Sequence, residues 1–251
     1  MGKTKHIAFS TQKGGAGKTT LTVLLASYLH YVKGYNVAIL DCDYPQHSIT
    51  EMRKRDVDKI KTVDHYRSLA YKQFAVGGKK AYLVEDAKFD NVLEKADDLV
   101  SDNPELDFIF FDLPGTINAS GLVRVLMSMD YIFTPITADH VVLESSLKFA
   151  SVVTERIVTT NETYVKGLYM LWNMVDKRER REVYDACEAA IHTLGIPIME
   201  TYIPDSKRFR RELSDVNRVI FRSTMFPIDR RLLKASHIED LANEFIEIVE
   251  K

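Results

Sequence analysis

The chain contains 251 residues, of which 45% are hydrophobic and 28% are charged, and its formal net charge is −2. These values are ordinary for a soluble globular protein and allow one α/β domain, which we expect to span residues 1–251. Its two cysteines, Cys42 and Cys187, have neither metal-site spacing nor a disulfide pattern. No apolar run reaches about 18 residues and no signal segment precedes the first strand, so we expect a cytoplasmic protein without a membrane span.

The first predicted elements are a strand, a glycine-rich loop and a helix. Residues 6–11 form a short apolar-rich run, and residues 12–20 then read Q-K-G-G-A-G-K-T-T. Residues 20–31 carry leucines at helical spacing, and Gly34 follows the expected helix end. Strand, glycine loop and helix in this order point a helix N-terminus at an anion.

The loop has the chemistry of a nucleoside triphosphate site. Glycines let backbone N–H groups turn toward phosphate oxygens, Lys18 neutralises the terminal phosphates, and the Thr19 hydroxyl can ligate Mg²⁺. A chance glycine-rich loop is the alternative, but lysine, hydroxyl and helix all stand in register. The predicted nucleotide-binding residues here are Gly14, Gly15, Ala16, Gly17, Lys18, Thr19 and Thr20.

The loop departs from the common G-x-x-x-x-G-K-[ST] pattern, because Gln12 stands where glycine is usual and Lys13 precedes the glycine pair. It resembles the deviant Walker A motif, K-G-G-x-G-K-[ST], of the ParA/MinD superfamily. The resemblance implies an Mg²⁺-dependent ATPase that forms a homodimer on ATP binding. It also implies that Lys13 reaches the phosphates of the partner subunit, whereas Lys18 acts within its own subunit.

Apolar runs alternate with helical patterns along the rest of the chain. Continuously apolar runs are typical of parallel strands covered on both faces. We therefore predict an α/β fold with a doubly wound, mostly parallel sheet and helices on both faces, as in P-loop NTPases. The further predicted strands are 36–41, 107–113, 131–136, 167–173 and 198–203, with helices at 141–158 and 179–194. Residues 44–106 are charged, with a turn at 77–80, and receive no functional assignment.

Two predicted strands end in aspartates, and ligands of open α/β sheets bind at these carboxyl ends. Asp112 is followed by Leu-Pro-Gly and is typical of a Walker B carboxylate that holds Mg²⁺, although an aspartate that caps a turn is the alternative. Asp41-Cys42-Asp43 resembles the family signature D-x-D-P-Q, interrupted here by Tyr44, which leaves the place of Gln46 open. The resemblance implies that Asp43 positions the attacking water and that Asp41 lies near Mg²⁺ and Thr19.

The predicted metal site therefore comprises Thr19, Asp41 and Asp112, and the predicted catalytic residues are Lys13, Lys18 and Asp43. For the base, Asn173 follows a strand, and Met174 replaces the lysine that the guanine motif N-K-x-D requires. This favours ATP over GTP. In the resembled family, an asparagine here contacts adenine, and the next strand end, Pro204-Asp205 in this chain, lies beside it. A helix or turn cap is the alternative for Asn173.

The C-terminal third is basic. Residues 207–234 contain nine lysines or arginines and three acids, a net charge of +6, so the remainder of the chain carries −8. A solvated, salt-bridged face is one interpretation. The resemblance favours non-specific DNA binding, which ParA-type dimers perform through basic residues in this part of the chain. The candidate DNA-binding residues are Lys207, Arg208, Arg210, Arg211, Arg218 and Arg222.

The last helix distinguishes the branches of the resembled family. Residues 236–251 form an amphipathic pattern whose polar side is acidic, which an anionic membrane surface would repel. We therefore expect a helix that packs on the core through Ile238, Leu241, Phe245, Ile248 and Val249, unlike the lipid-binding helix of MinD.

The leading hypothesis is a short-form, ParA-type ATPase, nucleoid-associated, that partitions plasmid or other DNA-bound cargo. It hydrolyses ATP slowly, with a ParB-like activating protein as its partner. No stretch of about sixty residues precedes the first strand, which fits the short form. One alternative is a MinD-like spatial regulator that acts through a protein partner. Another is a metabolic P-loop enzyme, but the nitrogenase-type cysteine is missing from residues 116–129 and no carboxylating site is evident.

Overall fold

The computed structural model describes residues 3–12, 14–115, 121–155, 163–216 and 218–251. Lys13, the lysine predicted to act across a dimer, lies outside these ranges, as do residues 156–158 of the predicted helix.

The described residues form a six-stranded sheet in which every pairing is parallel, in the order β3-β2-β4-β1-β5-β6. Strands β2, β4 and β5 are buried at every position, as their continuously apolar sequences require. The bounds are β1 Lys5–Phe9, β2 Val37–Asp41, β3 Leu83–Asp86, β4 Phe108–Asp112, β5 Tyr131–Ile136 and β6 Gly167–Trp172. The predicted doubly wound parallel sheet is confirmed.

Helices cover both faces of the sheet. One apolar core includes residues of α1, α2 and α9, and the other includes residues of α4, α5, α6 and α7. The bounds are α1 Lys18–Tyr28, α2 Ser48–Thr62, α3 Asp64–Ala70, α4 Val92–Asp102, α5 Leu122–Met127, α6 His140–Val153, α7 Arg181–Thr193, α8 Arg230–Leu233 and α9 Ile238–Val249. A π-helical turn at Leu29–Lys33 extends α1, and Gly34 then ends it with a φ of +93°.

The last helix packs on the core as expected. Phe245 of α9 is fully buried, and its ring centroid lies 5.5, 5.8 and 5.3 Å from those of Phe108, Phe110 and Phe133. In the ranges that the structure describes, no helix has both the length and the apolar character needed to cross a bilayer.

The prediction of a strand at 198–203 is wrong. Ile198 forms an isolated parallel bridge with Met170 of β6. Beyond it, the segment contacts β6 only at separate points, where the Met199 N–H donates to the Met170 carbonyl and the Ile203 N–H to the Trp172 carbonyl, both at 2.8 Å. The reason is Glu244 of α9, whose carboxylate accepts the backbone N–H groups of Glu200 at 2.7 Å and Thr201 at 2.8 Å. These donors are therefore not available to extend β6.

Residues 44–106, which the sequence left unassigned, contain α2, α3, β3 and α4. Strand β3 is four residues long, lies at the sheet edge and is mostly exposed, so it lacks the apolar signature of its neighbours. Asp56 of α2 is buried and accepts three hydrogen bonds, from the Thr224 backbone and hydroxyl and from the Ser223 hydroxyl. This carboxylate joins α2 to the basic C-terminal third.

Candidate functional site

The glycine-rich loop connects β1 to α1 at the carboxyl edge of the sheet. Gly15 and Gly17 both have a φ of +88°, a conformation that side chains rarely adopt. Gly17 is the N-cap of α1 and supplies no side-chain oxygen to the first turn. The helix N-terminus is therefore available to an anion, with the partial positive charge that helix dipoles give it.

Asn173, at the end of β6, fixes this loop. Its side chain is 4% exposed, its Nδ2 donates to the Ala16 carbonyl at 2.7 Å, and its Oδ1 accepts from the Met174 backbone at 2.9 Å. A Cβ added to Gly17 would lie 2.3 Å from the same Nδ2. The residue predicted to contact adenine is thus also a clamp on the phosphate loop, a role that no local sequence pattern signals.

Lys18 places a cation in the interior behind the loop. It is 9% exposed and makes no hydrogen bond or salt bridge to another described residue. Burial lowers its pKa, while the charges of Asp112 and Asp43 act in the opposite direction. An ammonium that has lost part of its hydration is less stable than one in water, and an anion in the loop would offset that loss.

Asp112 ends β4 beside the loop and is fully buried. Its Oδ2 accepts a hydrogen bond from Thr19 Oγ1 at 2.8 Å, whereas its buried Oδ1 has no partner in the described part of the chain. Burial raises its pKa to about 7, a shift that the Thr19 bond opposes and the nearby Asp41 reinforces. An orphaned carboxylate oxygen next to a threonine hydroxyl fits an Mg²⁺ ion or its bound water.

Asp41, directly opposite Asp112 on the neighbouring strand β2, has a structural task that the sequence did not reveal. Its buried Oδ2 accepts the backbone N–H groups of Ile49 and Thr50, both at 2.9 Å, in the first turn of α2. One of its two oxygens is therefore committed to this helix N-terminus, so the predicted role near the metal depends on the other oxygen, Oδ1.

Asp43 stands in the turn between β2 and α2, and it is half-buried. Burial raises its pKa, and Lys18 lowers it. Its carbonyl accepts the backbone N–H groups of Gln46 at 2.8 Å and His47 at 2.9 Å. Tyr44, the residue that interrupts the family signature, is 61% exposed, and the Lys88 ammonium lies 5.0 Å from its ring centroid. The turn therefore accommodates Tyr44 by directing it outward.

A cleft next to the loop brings together residues from four parts of the chain. Thr20, Asn173, Pro204 and Asp205, all predicted to bind nucleotide, line it. Val175 and Pro204 form a parallel bridge, which joins the segment after β6 to the segment that contains Pro204 and Asp205. The remaining lining residues are Gly17, Met174, Ser206, Phe209, Arg210 and Arg222.

The predicted DNA-binding residues do not share one environment. Lys207, Arg210, Arg211 and Arg218 are exposed and Arg208 is half-buried. Arg222 differs, because its side chain is 17% exposed and its guanidinium donates to Thr20 Oγ1 and Glu212 Oε1, both at 2.7 Å. Its guanidinium is engaged inside the molecule beside the phosphate loop and is not presented to a surface ligand. Neither charge nor spacing distinguishes it from its neighbours.

Comparison with protein families identifies a match over most of the chain. The family model for the CobQ/CobB/MinD/ParA nucleotide-binding domain matches residues 7–218. Among individual proteins, the uncharacterized protein BBD21 of Borreliella burgdorferi is 25% identical over 257 residues, which cover 94% of this chain and 98% of that protein.

Solved structures with the same fold cover the chain almost completely. BB_S35 of Borrelia burgdorferi B31, assigned to plasmid partition and bound to AMPPNP, has a TM-score of 0.60 at 18% identity and 98% and 99% coverage of the two chains. The pNOB8 ParA protein bound to nonspecific DNA has a TM-score of 0.60 at 16% identity, with 99% of each chain covered. The cell division ATPase MinD of Pyrococcus furiosus has a TM-score of 0.62 at 17% identity, with 98% and 100% covered.

Proposed function

Because the chain belongs to the CobQ/CobB/MinD/ParA family of nucleotide-binding domains, we propose that it is a ParA-type partition ATPase. It binds ATP with Mg²⁺, forms a homodimer around the nucleotide, and in that state holds DNA without sequence preference. Slow hydrolysis, accelerated by a ParB-like activating protein, then releases the DNA. The protein thereby positions a plasmid or another DNA-bound cargo on the nucleoid, in the cytoplasm.

The observation that carries this proposal is the pair of charged residues held in the interior at the phosphate loop, one of which has a buried oxygen without a partner among the described residues. Lys18 makes no hydrogen bond or ion pair, and Asp112 Oδ1 has no partner, among the residues that the structure describes. Folded proteins rarely bury such groups unless a ligand uses them. A triphosphate with its cation supplies the missing partner to each.

Each residue of the site has a proposed task. Backbone N–H groups of the loop and Lys18 hold the phosphates, and Thr19 with Asp112 would hold Mg²⁺, whose charge offsets the negative charge that develops on the phosphate oxygens. Asp43 orients the attacking water, and burial raises the pKa of its carboxyl above the ordinary value. Lys13 contributes its charge to the nucleotide of the partner subunit.

The exposed basic residues of the C-terminal third support DNA binding. Lys207, Arg210, Arg211 and Arg218 present their charges to solvent, where phosphate contacts would release counterions. The DNA in the pNOB8 ParA structure and the AMPPNP in the BB_S35 structure are consistent with the same pair of ligands here.

The decisive experiment measures retention of a random-sequence DNA duplex by the purified protein with ATP, with ADP and without nucleotide. Lys13→Ala and Lys18→Ala are the test variants, and Lys33→Ala, an exposed lysine in the π-helical turn that extends α1, is the matched control. We expect retention only with ATP, its loss in both test variants, and no change in the control. Lys13→Ala should still bind ATP, because its own loop keeps Lys18.

Two outcomes would contradict the proposal. Equal retention of the DNA under all three nucleotide conditions would show that the basic residues attract DNA by charge alone, without control by the nucleotide. Failure of the wild-type protein to bind ATP would remove the ATPase function itself.

A further inference from the structure

Arg222 is a charged side chain inside the nucleotide cleft that the proposed function has not used. Its Nη1 donates to Thr20 Oγ1 at 2.7 Å, and its Nε is buried without a partner in the described residues. Thr20 directly follows Thr19 in the first turn of α1. The guanidinium therefore lies against the turn of α1 that contacts the phosphates.

The cleft geometry defines what this guanidinium can contact. Gly17 of the phosphate loop, Thr20, Asn173, Pro204 and Arg222 all line the same cleft. If the terminal phosphates of a nucleotide occupy the loop and its base lies beside Asn173, the part of the nucleotide between them lies next to Thr20. That part is the ribose and the α-phosphate, of which only the α-phosphate is charged.

The local charge balance favours an anion there. Arg222 Nη2 donates to Glu212 Oε1 at 2.7 Å, and Arg55 of α2 donates to Glu212 Oε2 at 3.0 Å. In the described part of the chain, these two guanidinium groups thus share a single carboxylate. Asp205 also lines the cleft, but it is exposed at the rim. Glu212 divides its charge between the two guanidinium groups, so Arg222 is only partly compensated, and a phosphate oxygen would complete its pairing.

We propose that Arg222 binds the α-phosphate of the nucleotide and that this contact transmits nucleotide occupancy to the basic C-terminal segment. The proposal rests on the proposed nucleotide-binding function. When the guanidinium turns to the phosphate, Thr20 and Glu212 lose their shared partner and Glu212 remains with Arg55 alone.

The link to the basic segment is a backbone contact. The Arg222 N–H donates to the Arg211 carbonyl at 3.1 Å and closes the loop that carries Arg218. The 3-10 turn Lys207–Arg210 immediately precedes that loop. A shift of Arg222 therefore changes the position of the backbone that carries the exposed basic residues between 207 and 218. Nucleotide binding thus affects the candidate DNA-binding residues through a series of direct contacts.

The test compares ADP with adenosine, which lacks every phosphate. Displacement of a fluorescent ADP analogue gives the affinity of each compound for the wild-type protein, Arg222→Gln, Glu212→Gln and the exposed control Arg181→Gln. We expect Arg222→Gln to weaken ADP by about 10- to 100-fold and adenosine by less than about twofold. Glu212→Gln should leave ADP binding unchanged or tighter, since it removes the carboxylate that competes for Arg222. Arg181→Gln should change neither affinity.

A second readout follows the coupling itself. Trypsin cleavage after the basic residues 207–218 should change in rate when the wild-type protein is saturated with ADP, but not in Arg222→Gln at saturating ADP. Thermal unfolding without nucleotide identifies a variant that fails to fold. In that event Arg222→Lys, which keeps the charge, replaces it and should lie between the wild-type and Gln affinities.

Equal losses of ADP and adenosine affinity in Arg222→Gln would show a merely structural residue and overturn the inference. A loss of ADP affinity in Glu212→Gln as large as in Arg222→Gln would do the same. If the wild-type protein binds ADP and the variants bind it with the same affinity, this inference fails but the proposed function stands. If the wild-type protein binds no adenine nucleotide, the proposed function fails with it.

Discussion

The phosphate loop and the turn after β6 both contain charged side chains, but they hold them differently. Lys18 of the loop and Asp112 beside it are 9% and 0% exposed, and the buried Oδ1 of Asp112 has no partner among the described residues. Arg178 is 88% exposed on its side chain and is paired at 2.7 Å with Asp176, two residues away. Charge alone therefore does not mark a site in this molecule; uncompensated charge in the interior does.

The physical reason for the difference is the solvent. Water already satisfies an exposed ion, so its pairing with a neighbour contributes little. A buried ion has lost that hydration and retains a large interaction free energy for any ligand of opposite charge. Substitutions at the phosphate loop should therefore have larger effects than a substitution in the exposed turn.

Replacing Asp112 by Asn should make the nucleotide-free protein more stable at high pH. The native pKa of about 7 exceeds the ordinary value of 3.8, so between these values the folded carboxyl keeps a proton that the unfolded one has lost. The contribution of Asp112 to the free energy of unfolding of the wild-type protein therefore falls as pH rises from 4 to 7. The variant lacks this fall, and its relative stability should rise by up to about 4 kcal/mol across that window.

Urea unfolding in EDTA, followed by the fluorescence of the buried Trp172, measures this difference at each pH. The same variant should lose Mg²⁺-dependent nucleotide binding, because an amide is a poor ligand for a hard cation. A stability difference that stays constant between pH 4 and pH 8 would contradict the buried, uncompensated state of Asp112.

Replacing Gly17 by Ala should destabilise the protein by about 2 kcal/mol. The alanine would adopt a φ of +88°, and its Cβ would collide with Asn173 Nδ2, disturbing the bond to the Ala16 carbonyl. Gly34→Ala is the matched control, since its φ is +93° and no atom lies within 4 Å of the added Cβ. It should cost about 1 kcal/mol, and urea unfolding of both variants would isolate the Asn173 contact. Equal costs would show that Asn173 yields without penalty.

Replacing Arg178 by Ala should change the free energy of unfolding by less than about 0.5 kcal/mol. The Asp176 that it leaves behind is itself partly exposed, so water replaces the lost partner. Thermal unfolding at low and at high salt measures this effect, and nucleotide affinity should stay the same. A loss above about 1 kcal/mol would mean that exposure is a poor guide to the role of a charge here.

The elements that could be predicted are those whose signal is local. The apolar runs of β1, β2, β4, β5 and β6 and the leucine spacing of α1 correspond to the structure, and the resemblance to the ParA/MinD superfamily is confirmed by the family match. Strand β3 could not be predicted, because an exposed edge strand needs no continuous apolar run, and its sequence therefore lacks that signal. The strand predicted at 198–203 is absent because Glu244, more than forty residues away, accepts the backbone N–H groups of Glu200 and Thr201.

The same division holds within the candidate site. The sequence by itself determined the loop, its lysine, its threonine and the aspartate after β4, because glycine conformations and a strand end followed by Asp are read from adjacent residues. Only the tertiary structure decided that Asp41 caps α2, that Asn173 clamps the loop, and that Arg222 turns inward to Thr20. These contacts join residues that are 8, 157 and 202 positions apart, and packing rather than local pattern brings them together.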